Sequence, residues 1–170
     1  MSETLEPALP GHLDEQAERL MHRLCDQELT VATAESCTGG MLAALLSAID
    51  GAGHGYDRAF VTYSKESKQE LLGIERELLD RNDAVSEPVA RAMAEGALAR
   101  SSADLAIAVT GFAGPPAPGC EEGLVHFALA RHGGPTVHRE EHYGAVGRGE
   151  VRVKSLTAML DMLEQALEQQ

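Results

Sequence analysis

Ser36, Cys37 and Thr38 stand in a row where the chain turns from a β-prone run into a helical pattern, and Gly39 and Gly40 follow at once. The run before them is Val31, Ala32 and Thr33; the pattern after them, Met41, Leu42, Leu45, Leu46 and Ile49, repeats at helical spacing. At such a strand–turn–helix junction the first helical N–H groups lack intrahelical partners and the helix dipole adds partial positive charge, so a hydroxyl or thiol held there faces an anion site. The two glycines remove the Cβ atoms that would hold a ligand away from the backbone. The chemistry on offer is nucleophilic. Capping is the commoner role of a serine or threonine at a helix start, and the spacing fits neither the G-x-S-x-G elbow nor the G-x-x-x-x-G-K phosphate loop. A nucleophile here therefore depends on what else converges on the same point.

Two further strand ends supply candidates. Residues 59–63 are β-prone, and Ser64, Lys65 and Glu66 read as the cap and first turn of a short helix stopped by Gly73, so Tyr63 and Lys68 straddle a second strand-to-helix junction. Residues 105–109, LAIAV, form a continuous apolar run of the kind found in a strand covered on both faces. After it, Thr110 and Gly111 open a Gly/Pro loop, where open α/β sheets commonly bind ligands.

The elements that must position these residues follow from periodicity. Leu13, Ala17, Leu20, Met21 and Leu24 predict a helix over 12–28, and the 41–50 pattern predicts a second helix. Ser86, Glu87 and Pro88 open a helix to about residue 100, with Val89, Met93 and Ala97 at four-residue spacing and small residues between them. That helix could bury against its own sheet or against a second subunit, which leaves homo-oligomerisation open. Residues 123–130 and 136–143 predict a hairpin joined by Gly133, Gly134 and Pro135, and a closing helix carries Val153, Leu156, Leu160, Leu163 and Leu167. In the second hairpin strand His138, Glu140 and His142 share a face; a polar edge strand accounts for them, and no metal site is expected. The sum is a three-layer α/β/α sandwich with a mixed, mostly parallel sheet of about five strands. Parallel strands would bring Ser36, Tyr63 and Thr110 to one edge. Residues 1–11 read as a flexible tail and 12–170 as a single domain.

Composition removes several function classes. A net charge of −13 and a pI of about 4.9 oppose binding to nucleic acid or to an anionic membrane surface, so neither is expected as a partner. Trp is absent and aromatics are 4%, too few for a base-stacking platform. Cys25, Cys37 and Cys120 have no paired spacing, which points to a reducing cytoplasm and away from a disulfide framework or zinc ribbon. No cofactor motif is present.

Four ordered motifs, TAESCTGG, FVTYSKESKQELLGI, DAVSEPVARAMAEGA and AIAVTGFAGP, together resemble the C-terminal domain of the competence/damage-inducible CinA proteins. The resemblance runs from about residue 12 to 168. It implies the same three-layer fold and an activity like that of the family's stand-alone members, which lack the molybdopterin-binding-like N-terminal domain and deamidate nicotinamide mononucleotide. By resemblance Ser36 matches the nucleophile, while Tyr63 and Lys68 begin and end a Y-S-x-x-x-K motif and serve as proton relay and base. Thr38, Gly39, Gly40, Thr110 and Gly111 match positions lining the ligand pocket, and Arg148 matches an arginine suited to the phosphate of the mononucleotide. A lysine can act as base where burial or a nearby cation lowers its pKa. Cys37, at the same helix start, is the rival nucleophile. Two segments differ from the amidase pattern: Pro115-Pro116-Ala117-Pro118-Gly119 replaces a G-P-x-G-G loop, and Val146-Gly147-Arg148-Gly149 replaces G-D-R-D while keeping the arginine. The competing reading is a non-catalytic nucleotide- or partner-binding domain of the same family.

Overall fold

The computed structural model describes residues 9–168. Strands β1 (Val31–Glu35), β2 (Tyr56–Val61), β3 (Leu105–Gly111), β4 (Leu124–Arg131) and β5 (Val137–His142) form one sheet in the order β2-β1-β3-β4-β5. β1 runs parallel to both β2 and β3, whereas β4 is antiparallel to β3 and β5 to β4. The sheet is thus mixed, as the sequence predicts. The short link between β4 and β5 permits only a hairpin, while longer helical crossovers keep the first three strands parallel.

Helices α1 (Gly11–Asp26), α2 (Met41–Ser47) and α6 (Arg148–Glu168) cover one face; α3 (Lys65–Leu72), α4 (Arg76–Asn82) and α5 (Glu87–Ala99) cover the other. Side-chain alternation divides the strands between two cores. Val31, Leu105, Ile107, Val109, Val125, Phe127 and Leu129 face the first layer. Toward the second layer the buried apolar residues of these strands are all alanines: Ala32, Ala34, Ala106, Ala108, Ala128 and Ala130. An alanine face lets a helix come close, and α5 answers with Ala90, Ala94, Gly96 and Ala97. Gly96 is needed there, because a Cβ on it would lie 2.3 Å from the carbonyl oxygen of Leu72 in α3.

Three expectations require correction. The expected tail ends earlier: Leu9 is buried in the first core and α1 starts at Gly11, while residues 1–8 lie outside the described residues. The second helix stops at Ser47, short of Asp50, and Gly51 follows with φ +75°. Helix α4 has no counterpart in the periodicity reading. Its seven residues bury only Leu79, too little apolar pattern to register along the chain.

Candidate active site

Because β1, β2 and β3 are parallel, the residues just past their C-terminal ends share one edge of the sheet. Hydrogen bonds tie them together. Ser36 N–H donates to the carbonyl of Val109 at 3.1 Å, and Thr62 N–H donates to the carbonyl of Glu35 at 2.8 Å.

Ser36 is 8% exposed, and its hydroxyl oxygen lies 3.0 Å from Lys68 Nζ. Helix α3 delivers that lysine. Ser64 caps the helix, its hydroxyl accepting from Ser67 N–H at 3.1 Å, and Gly73 ends it in a left-handed conformation at φ +66°, both as the sequence predicts. Lys68 then points into the protein, fully buried, with Nζ also 2.8 Å from the Thr62 carbonyl and 3.5 Å from the Tyr63 carbonyl. Among the described residues it forms no ion pair. Burial without a counter-charge disfavours the ammonium and lowers the pKa of Lys68 to about 8. A buried neutral amine 3.0 Å from a hydroxyl is a ready proton acceptor.

The preceding residue faces the opposite way. Glu35 is fully buried, and its carboxylate accepts from the Thr38 hydroxyl (2.5 Å) and from the N–H groups of Gly40 (3.2 Å), Leu42 (3.2 Å) and Ala43 (2.8 Å). It absorbs the donors at the start of α2. The anion site expected at this junction is thus largely occupied by the chain's own carboxylate, and the Thr38 hydroxyl, expected to meet ligand, is given to Glu35. Gly39 and Gly40 take φ +63° and +94°, which bends the chain between Ser36 and the helix. The N–H groups of Cys37 and Thr38 donate to no carbonyl or side-chain oxygen among the described residues. Burial pushes the Cys37 thiol up to about 12, so it is not an activated nucleophile.

Of the other expected residues, Tyr63 brings its backbone rather than its ring: the side chain is 74% exposed, and the carbonyl oxygen is the atom near Lys68. The Thr110 hydroxyl is buried and donates to the Ala84 carbonyl at 2.6 Å, which secures the segment leading into α5. Gly111 is required by packing, since a Cβ there would lie 2.8 Å from Val125 Cγ2. Arg148, the first residue of α6, rests on the loop after β3; a Cβ on Gly114 would lie 2.7 Å from its Nη2. One turn further along α6, Arg152 Nε donates to the Cys37 carbonyl at 2.8 Å. From the sequence, Arg152 reads only as a surface residue in the first turn of the last helix and Glu35 only as part of the turn, with no site role for either. The available signals were the four-residue spacing of Arg152 from Arg148 and an acid ending an otherwise apolar strand. Among the described residues neither arginine forms an ion pair with a carboxylate, although the chain carries a net charge of −13.

Comparison with known proteins bears on the same region. The profile of the CinA C-terminal domain family matches residues 13–167. A CinA-like protein of Mycolicibacterium vanbaalenii is 45% identical over 140 residues, covering 81% of this chain, and one of Syntrophobacter fumaroxidans is 37% identical over 163 residues, covering 95%. The chain spans only 33% and 38% of those two relatives' own lengths. Among solved structures, the competence/damage-inducible protein CihA from Agrobacterium tumefaciens superposes with a TM-score of 0.89 at 43% identity, over 94% of this chain and 98% of that one. A CinA superfamily protein from Escherichia coli gives 0.85 at 35% identity, over 91% and 90%.

Proposed function

We propose, from the premise that this chain belongs to the CinA C-terminal domain family, that it is a serine–lysine amidase converting nicotinamide mononucleotide to nicotinate mononucleotide and ammonia. The observation that carries this reading is the 3.0 Å pair of Ser36 Oγ and Lys68 Nζ, in which the lysine is buried and has no carboxylate partner among the described residues. Neutral Lys68 takes the hydroxyl proton as Ser36 Oγ attacks the carboxamide carbon. The N–H groups of Cys37 and Thr38, which donate to no oxygen among the described residues, are the available donors for the oxygen of the tetrahedral intermediate. Lys68 returns the proton to the departing nitrogen, ammonia leaves, and water then hydrolyses the ester on Ser36 to free the carboxylate. Arg148 and Arg152, free of carboxylate partners among the described residues, supply positive charge suited to the phosphate. A free mononucleotide as substrate fits work in the cytoplasm. No helix among the described residues is long and apolar enough to cross a membrane.

Ammonia release from nicotinamide mononucleotide, measured for the wild type and for Ser36→Ala, tests the reading. Release by the wild type and its loss in the variant are expected. Binding of the mononucleotide with no release above background would establish the non-catalytic reading instead. Preference for another small carboxamide would keep the chemistry and replace the substrate. Arg148→Ala should weaken binding of the mononucleotide much more than that of its dephosphorylated riboside, and equal losses would make Arg148 a structural residue.

A further inference from the structure

A second polar cluster lies on the alanine face of the sheet at its antiparallel edge, with β3 standing between it and the Ser36 end of β1. In register, Thr110 of β3 pairs with His126 of β4, and His126 pairs with Glu140 of β5; Ala128 pairs with His138. Alternation turns His126, His138 and Glu140 toward the α5 layer together. His126 Nδ1 is 3.1 Å from His138 Nε2 and 3.4 Å from Glu140 Oε2, and the three donor atoms all lie within 4.8 Å of one another. Zinc bonds of about 2.0–2.1 Å in a tetrahedron hold neighbouring donors roughly 3.3–3.4 Å apart, so the two measured separations match a shared ion.

The surrounding groups match as well. His138 Nδ1, the nitrogen turned away from the cluster, faces Glu87 Oε2 at 3.6 Å, and Glu87 Oε1 is held by Arg91 Nε at 2.8 Å. Glu140 uses its second oxygen, Oε1, to meet His142 Nε2 at 2.8 Å. A ligating imidazole backed by a carboxylate and a ligating carboxylate that is itself hydrogen-bonded are the outer-shell arrangements metal sites use to fix ligand orientation. His126 is only 6% exposed, His138 is mostly buried and Glu140 is 43% exposed, so the cluster runs from the buried layer out to solvent.

We propose that His126 Nδ1, His138 Nε2 and Glu140 Oε2 bind one zinc-class divalent transition-metal ion, which clamps edge strand β5 to β4 and, through Glu87, to the start of α5. Two imidazoles and one carboxylate suit zinc, cobalt, nickel or copper; calcium and magnesium need more oxygen donors. Solvent supplies the fourth position. This site goes beyond the proposed amidase and does not depend on it. In sequence His138, Glu140 and His142 form a polar edge; the further donor, His126, comes from the neighbouring strand, and His142 hydrogen-bonds the second oxygen of Glu140 instead of facing the ion.

Untagged protein, stripped with a chelator and dialysed, is titrated with zinc chloride by calorimetry and with cobalt chloride followed by visible absorption. One equivalent of each metal should bind, with the intense visible bands of four-coordinate cobalt, and zinc should raise the melting temperature. His138→Gln and Glu140→Gln lie on the accessible edge strand and should keep the wild-type circular dichroism. Each should weaken zinc binding at least about 100-fold and remove the thermal shift, while Glu87→Gln weakens it by roughly tenfold. His22→Ala, on the exposed face of α1, should bind as the wild type does. Absence of stoichiometric binding, or binding unchanged in both edge-strand variants, would overturn the proposal.

Discussion

Two consecutive residues at the end of β1 lead to opposite electrostatic situations. Glu35 turns toward the α2 layer, where one hydroxyl and three backbone N–H groups converge on its carboxylate. Ser36 turns toward the α3 layer, where it meets a buried lysine whose Nζ has, among the described residues, a hydroxyl and two carbonyl oxygens as its hydrogen-bond partners. The first charge is buried and fully satisfied; the second is buried and left without a counter-charge. A buried carboxylate met by four donors holds a turn in place, whereas a buried ammonium without a counter-charge gives up its proton more easily, which suits it to the proposed role of base. One strand end thus turns a structural carboxylate to one layer and the proposed reactive pair to the other by the two-residue alternation of a β-strand.

The largest effect should come from breaking the reactive side. Lys68→Arg keeps a cation but cannot accept a proton, so both it and Lys68→Ala should lower ammonia release by about 10³-fold or more. Turnover near the wild-type rate in Lys68→Arg would mean that the position supplies only charge. In the wild type, the rate should climb about tenfold per pH unit below about 8 and level off above it, following the lysine's lowered pKa. A rate that is flat between pH 6 and 9 would remove Lys68 as the base.

On the supporting side, Glu35→Ala should destabilise the fold by about 3 kcal/mol, because it strands a buried hydroxyl and several helix-start N–H groups. Denaturant unfolding measures this, and a loss under about 1 kcal/mol would show that water replaces the carboxylate without penalty.

A smaller effect of opposite sign is expected from Lys68→Met, which should be inactive yet more stable at pH 7, by about 1–2 kcal/mol. The sign follows from linkage. The folded state holds the lysine near 8 and the unfolded chain near the ordinary 10.5, so between these values the unfolded state binds more protons. The destabilisation from Lys68 is therefore complete below about pH 8 and fades as pH rises toward 10.5. The methionine variant should lack that slope in a pH series of melting temperatures.

The smallest effects should be those of Cys37→Ala and Tyr63→Phe. Each is expected to leave the rate within about threefold of wild type, since the thiol is held protonated and the phenol points to solvent. A large loss in Tyr63→Phe would restore the phenol as a proton relay brought in with substrate.

Much of this was legible along the chain. Helical spacing marked α1, α5 and α6; continuous apolar runs and hairpin signals marked β3, β4 and β5; Ser64 and Gly73 bounded α3. The Ser36 junction and the Ser64–Gly73 helix were visible because capping residues, glycines and periodicity are local properties. The sequence alone determined that a mixed sheet would carry a serine at one strand end and a lysine one turn into the helix after another. Tertiary structure decided what those residues are. Lysines 65 and 68 look alike in sequence, but Lys65 pairs with Asp80 at the surface while Lys68 is buried against Ser36, because only one face of α3 meets the alanine layer. The same holds for Glu35, whose partners lie three to eight residues ahead around a turn set by two left-handed glycines, and for Arg152, which meets Cys37 across 115 residues. His126 and His138 become neighbours only through the β4–β5 register. Spacing shows which residues share a face of one element. Which face is buried, and against what charge, depends on layers built from distant parts of the chain, and burial and neighbouring charge are what set a side chain's protonation and its chemistry.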